Sequence, residues 1–461
     1  MEVLYPRCGG LDVHQKSVTA CVLLSSADPG PPRKDVRVFS TMTDGLLALS
    51  DWLAGQGVTH AALESTGVYW KPVWNVLEGN IALLLVNAHH VKQVPGRKTD
   101  VKDSGWLADL LRHGLLKASF VPDQDQRELR ELTRLRTQRV RMRAAEINRL
   151  HKTLEAANVK LASVATDVLG VSGREILAAL VGGQTDPAAL ADLARGRLRT
   201  KLPELERALD GRFAAHQRFL VAEHLATIDE LEAGAARLGA EIAARLAPPA
   251  APPSATDPAP PAAPGPTRRR EVKVVTAAPG PPVVVDRATG EVLDEAALRA
   301  DPVARLDTIP GIGRAAAEAI LAEVGTTVDR FPSAAHLASW AGLCPGHDES
   351  AGKRRSGKTR QGAPWLRTLL VEAALGAART KDTHLAARYH RIAARRGAKK
   401  AAVAVAHTIL VIAYHILRDG TTYRELGANH FDERDREAVR RRSVRRLERL
   451  GYAVTLAPQL P

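Results

Sequence analysis

GGLDVHQKSVTACVLL, residues 9–24, holds two apolar runs around a short polar break, and its reading decides the fold. Residues 9–14 and 18–24 mix small or apolar with polar side chains at short period, which predicts two tightly joined strands. Working outward, a third strand is expected at 36–41, a helix at 44–55 and a strand ending at Glu64 in AALESTGVYW. A helix near 69–79, the strand IALLLV at 81–86 and a helix from about 100 to 113 follow.

Three strands in succession, then alternating helix and strand, is the order expected of an RNase H-like mixed sheet, so the N-terminal region reads as α/β. Four acids are set into it. Asp12 lies in the first alternation, Glu64 closes VTHAALE, and Asp100 and Asp103 open the helical pattern of GRKTDVKDSGWLADLL. Residues three apart share a helix face. Together the four form a plausible cage for two hard cations, the requirement of metal-dependent phosphodiester chemistry. His14, His89, His90 and His113 show no zinc-finger spacing, and a hard-ion site favours oxygen ligands. Trp70, Trp74 and Trp106 fall on helical patterns and are expected in the core.

The 461 residues suffice for two or three domains, and 45% hydrophobic with 25% charged residues is ordinary for a globular chain. A net charge of +14, with pI near 9.9, favours a polyanionic partner, nucleic acid first, although a GC-rich genome also enriches Arg, Ala and Gly. Cys8, Cys21 and Cys344 show no CxxC pairing, which fits a reducing compartment. No signal peptide is read, and no run is expected to approach the roughly 18 apolar residues of a membrane span. The expected location is the bacterial cytoplasm, in association with the nucleoid when active, without a membrane partner.

From 124 to 161 the pattern becomes a long charged helix through Leu129, Leu132, Leu135, Met142, Ile147, Leu150 and Leu154, with a second from about 204 to 246. The pair suggests a helical hairpin or coiled coil, or else ordinary amphipathic helices. Arg127, Arg130, Arg134, Arg136, Arg139, Arg141, Arg143 and Arg149 crowd the first helix and could follow a phosphate backbone. Residues 248–266 hold nine prolines and six alanines, the composition of an extended linker. A short β-hairpin is read around VVVDRATGEVLD, and from about 301 the chain turns mostly helical. The expected division is 1–120, 121–247, a linker at 248–300, 301–430, and a basic tail at 431–461.

Ile309-Pro310-Gly311-Ile312-Gly313 before an Ala-rich helix has the form of a helix-hairpin-helix element, in which Gly311 and Gly313 let amides meet a phosphate; a plain helix-joining turn is the alternative. Downstream, HDESAGKRRSGKTRQG sets Ser350 ahead of Lys353, Arg354, Arg355, Lys358 and Arg360. Such a loop can approach a nucleic-acid backbone. Its serine reads either as a phosphate-binding hydroxyl or as a nucleophile flanked by cations.

GLDVHQKS, ALESTGVYW, KTDVKDS, WLADLLRHGLL, IPGIG and AGLCPGHDESAGKRRSGKTRQG, in that order, resemble the transposases of the insertion-sequence 110 family. The likeness covers the first 120 residues and 305–375 closely, and the helical middle loosely. It implies DEDD recombinases with an RNase H-like (RuvC-like) domain, in which Asp12, Glu64, Asp100 and Asp103 bind Mg²⁺ or Mn²⁺. It implies that Ser350 attacks a DNA phosphodiester and forms a transient phosphoserine link. It further implies donor and target DNA as substrates and a structured noncoding guide RNA, the bridge RNA. The assembly implied is a homo-oligomer, dimer or tetramer, combining acids of one subunit with the serine of another. This sequence departs in Ala351, where Gly is common, in Ser104, where Ala is common, and in the length of the Pro/Ala segment. Two alternatives stay open: a RuvC-like junction-resolving nuclease using the acids alone, and a non-catalytic nucleic-acid scaffold.

Overall fold

The computed structural model describes residues 2–25, 30–65, 67–87, 103–247, 272–275, 283–286, 300–346 and 348–457. Contacts divide the chain into two compact units, Met1–Asp123 and Gln124–Pro461.

The first unit is built on a five-stranded mixed sheet in the order β3-β2-β1-β4-β5. Its strands are β1 (Arg7–Val13), β2 (Ser17–Leu24), β3 (Arg33–Ser40), β4 (His60–Glu64) and β5 (Ala82–Val86). β1, β2 and β3 pair antiparallel, whereas β1–β4 and β4–β5 are parallel. Period-two alternation sorts the strands' side chains onto two faces. Leu11, Val13, Val18, Ala20, Val22, Ala61 and Leu63 pack under helices α1 (Thr43–Gly55) and α2 (Trp70–Leu77). Cys8, Cys21, Leu23 and Ala62 face the other way, against Ala108 and Leu111 of helix α3 (Asp103–Arg112). Trp74 is buried, and Trp70 and Trp106 pack against apolar clusters, as the helical spacing predicts.

The second unit starts with α4 (Gln124–Ala156), 33 residues long. The expected second long helix is broken. Leu202–Leu209 forms α8, a turn follows at 210–214, and α9 runs over Ala215–Leu246. The break follows from packing: a Cβ on Gly211 would stand 2.7 Å from the Ala157 carbonyl oxygen, and the Arg212 amide bonds that carbonyl. α4 and α9 pair antiparallel. Leu129 packs with Ile242 at one end, and Leu150 and Leu154 with Val221 and Ile228 at the other. Short helices α5 (Leu161–Val164), α6 (Val171–Val181) and α7 (Pro187–Asp192), with α8, close that far end over one apolar cluster. β6 (Val272–Val275) pairs antiparallel with β7 (Val283–Asp286), so the hairpin expected within 283–294 takes its first strand from upstream.

A second core gathers α10 (Pro302–Asp307), α11 (Arg314–Val324), α12 (Ala334–Trp340), α13 (Pro364–Ala377), α14 (His384–Arg396) and α15 (Ala398–Asp419). By length and composition α15 could cross a membrane, contrary to the expectation that no run comes near this. Its Val405, Ile409, Leu410, Ala413 and Tyr414 are buried at the centre of that core. Two further helices, α16 (His430–Arg434) and α17 (Arg436–Arg449), bury no residue.

The arginine row of α4 is a further correction. Arg134 grips Glu323 of α11 as a two-pronged fork, Nε to Oε1 at 2.7 Å and Nη2 to Oε2 at 2.9 Å, and Arg136 meets Glu318 at 2.5 Å. Arg130 donates to the Ala322 carbonyl at 3.0 Å, Arg143 pairs with Glu232 and Arg149 with Glu146. Both α11 glutamates are buried. Much of the row is therefore internal clamp rather than free cationic surface, because charges buried on both sides need partners.

Candidate active site

β1 and β4 run parallel in a register that sets Leu11 beside Leu63, so the next residues, Asp12 and Glu64, are neighbours at the carboxyl ends of adjacent strands. Alternation turns Asp12 to the face of Gly10, and Glu64 to that of Ala62, which is the face covered by α3. Gly10 sets how closely α3 lies. A Cβ there would stand 2.0 Å from the Ser104 carbonyl oxygen and 2.5 Å from the Ala108 nitrogen, so only glycine lets strand and helix approach this far. Asp103 opens α3 beside that crossing and Ser104 is buried in it. The sheet and one helix thus gather Asp12, Glu64 and Asp103 at one end of one face. Asp100 lies outside the described residues. An all-oxygen donor set suits a hard divalent cation. Among the described residues no group of three or more His, Cys, Asp or Glu side chains is arranged to hold a metal. The sequence assigned His14 no role, yet its Nε2 stands 3.2 Å from Asp12 Oδ2; the alternation that exposes His14 at the end of β1 was the available signal.

Ser350 closes β8 (Asp348–Ser350), which pairs antiparallel with β9 (Lys353–Ser356). The turn between them has two residues, Ala351 at φ +50° and Gly352 at φ +70°, the positive angles of a type I′ hairpin. Across it Ser350 is paired directly with Lys353, and directly paired residues point to the same side. Both are exposed. The basic loop of the sequence is therefore an ordered arm with the serine at its tip. At its root Pro345 bridges Thr359, and Gly346 donates to the Lys358 carbonyl at 2.9 Å. Gly342 and Gly362 cross there, where a Cβ on Gly362 would fall 2.3 Å from the Gly342 nitrogen. Arg355, Lys358 and Arg360 are exposed along the arm, whereas the side chain of Arg354 lies outside the described residues.

Residues 308–313 join α10 to α11. Gly311, at φ +87°, is pressed on α13, where a Cβ would lie 2.3 Å from the Ala373 carbonyl oxygen, so close packing accounts for this glycine. Gly313 is the exposed member of the pair, at the N-cap of α11.

Two family models match this chain. One, described as a transposase model for the IS110 DEDD domain, covers residues 9–159, and one for the IS116/IS110/IS902 transposase family covers 303–390. "Putative transposase y4pF/y4sB" of Sinorhizobium fredii is 36% identical over 128 residues, 26% of this chain and 32% of the relative. "Probable family 20 transposase" of Pseudomonas aeruginosa is 32% identical over 126 residues, 26% of this chain and 37% of the relative. The chain thus spans about a third of the length of each of these curated relatives.

Proposed function

This chain belongs to the IS110 family of transposases, and on that premise we propose that it is a DNA transposase which cuts and rejoins strands through Ser350. The supporting observation is the exposed hairpin tip that holds Ser350 opposite Lys353. On the N-terminal sheet, whose order β3-β2-β1-β4-β5 is that of an RNase H-like domain, Asp12, Glu64 and Asp103 share one end with the helix that Asp100 precedes.

In the proposed step Ser350 Oγ attacks the scissile phosphorus. The Oγ–P bond forms, the bond from phosphorus to the leaving strand's oxygen breaks, and that oxygen takes up the proton which the serine gives up. The Lys353 ammonium stabilises the negative charge as it grows. Attack by the hydroxyl of another strand reverses the step and frees the serine. Bond energy is conserved in the phosphoserine link, so no nucleotide cofactor is needed, and no GxxxxGK[ST] loop occurs in the sequence. Asp12, Glu64, Asp100 and Asp103 would hold Mg²⁺ or Mn²⁺, which when bound supplies charge neutralisation at the phosphate and leaving oxygen. His14 orients Asp12. Gly311, Gly313, Arg354, Arg355, Lys358 and Arg360 contact backbone phosphates, sequence choice falls to a bridge RNA, and the chain acts as a homo-oligomer on donor and target DNA.

The test compares wild type, Ser350→Ala and Asp12→Ala, each with its copurifying RNA and element-end DNA. Wild type should yield a detergent-resistant protein–DNA species that is lost on chelation of divalent metal. Ser350→Ala should yield none, and Asp12→Ala should bind nucleic acid without cutting. Recombination by Ser350→Ala at the wild-type rate would sink the serine mechanism. Sequencing the copurified RNA tests guidance: an RNA unable to pair with the element's ends removes it.

A further inference from the structure

The C-terminal unit carries a cationic group that the chemistry above does not use. His384 opens α14 and Arg388 lies one turn on, sharing its face. α15, which bears His407, packs along α14, and Arg434 ends α16. His384 is 8% exposed, stacks on Phe431 at 4.8 Å and meets His430 edge-on at 5.2 Å, so residues 430–434 sit over the start of α14.

None of this charge is answered. His384 Nδ1 and Arg388 Nε are buried without a hydrogen-bond partner, and among the described residues Arg388, His407 and Arg434 make no hydrogen bond or ion pair. Burial and then Arg434 hold the Arg388 guanidinium below its ordinary proton affinity, and burial and then Arg388 do the same to His407. The neighbouring carboxylates are engaged elsewhere. Glu425 Oε1 accepts from the His384 and Gly427 amides and Oε2 from the Tyr423 hydroxyl, while Asp432 pairs with Arg391 at 2.6 Å. Desolvated cations with orphan donors are costly unless a counter-charge reaches them. A tetrahedral oxyanion supplies several acceptor oxygens and suits a guanidinium.

We propose that His384, Arg388, His407 and Arg434 form a binding site for a phosphate group, from inorganic phosphate or from a nucleic-acid backbone. The site does not depend on the serine chemistry. Thermal unfolding of the full chain in chloride and in inorganic phosphate, at matched ionic strength and pH, tests it with wild type and Arg388→Gln. Phosphate at about tenfold its Kd should raise the wild-type midpoint by about 2–4 °C. Arg388→Gln should lose that increment and, freed of an unanswered buried charge, unfold in chloride at no lower temperature than wild type. The general salting effect of phosphate is common to both proteins. A second arm adds a short oligonucleotide: stabilisation by it alone, lost in the variant, assigns the phosphate to a backbone. Equal increments in wild type and variant, no increment from either ligand, or a variant less stable in chloride would overturn the proposal. Should Arg388→Gln fail to fold, His407→Gln takes its place on the same criteria.

Discussion

Gly9 and Gly10 are adjacent in β1 and point to opposite faces, so adding one methyl group at each separates packing in general from the placement of α3. A Cβ on Gly9 would meet Ala61 Cβ and Leu53 Cδ2 at 3.6 Å, ordinary contact. A Cβ on Gly10 would stand 2.0 Å from the Ser104 carbonyl oxygen, so strand and helix must part by more than about 1 Å. Overpacking of this kind costs about 1–3 kcal/mol, while Gly9→Ala should be neutral or gain about 0.5 kcal/mol from the smaller entropy of the unfolded chain. Because Asp103 travels with α3 and Asp12 with β1, a 1 Å parting should also lower metal-dependent strand cleavage on the order of a hundredfold. Chemical denaturation and a cleavage assay, run on both variants, read the two effects. If Gly10→Ala matches Gly9→Ala in stability, the close crossing is not what holds α3. If it is unstable yet cleaves at the wild-type rate, the crossing does not place the acids.

Three other perturbations follow from the geometry. Glu323→Ala leaves Arg134 and Arg130 facing a buried gap and should cost about 3 kcal/mol in denaturation, whereas Glu323→Leu with Arg134→Met should recover most of it; a loss below about 0.5 kcal/mol would show the clamp to be inert. Ala351→Gly relieves a left-handed residue in the arm's turn, a net gain of about 0.5–1 kcal/mol, seen as two- to fivefold slower amide exchange in 348–356; unchanged or faster exchange contradicts the turn. A hydrogen bond with His224, then one from Arg149, holds the Glu146 carboxyl below its usual range. A depressed carboxylate contributes stability above its unfolded value of about 4.3 and loses it as pH falls through the folded value, so the gap between wild type and Glu146→Gln should close below about pH 4. A gap that persists to pH 2 assigns the difference to shape rather than charge.

The sheet was legible because apolar alternation and turn residues are local signals, and seven elements from β1 to β5 and α3 follow the pattern almost to the residue. Asp12 and Glu64 could be named as acids, but their adjacency depends on pairing between strands fifty residues apart. The role of Gly10 depends on a helix a hundred residues away. The serine arm escaped reading because its turn uses Ala351 at a positive φ that alanine rarely adopts, leaving no Asn-Gly or Gly-Gly signal. The arginine row misled for a related reason: Glu318 and Glu323, its buried partners, lie some 180 residues downstream, beyond any periodicity.

At about 1.5 Å per residue the 33 residues of α4 span about 50 Å, and with α9 they form a lever pivoted on α11. A tilt of about 5° at the pivot would sweep the far end through about 4 Å by simple geometry on that length. Two buried glutamates gripped from α4 resist that tilt with charge and shape together, where greasy contact alone would let the helix roll. Mechanical precision at the distant cap of α5 to α8 is thus set at the opposite end of the rod, by Arg134 and Arg136.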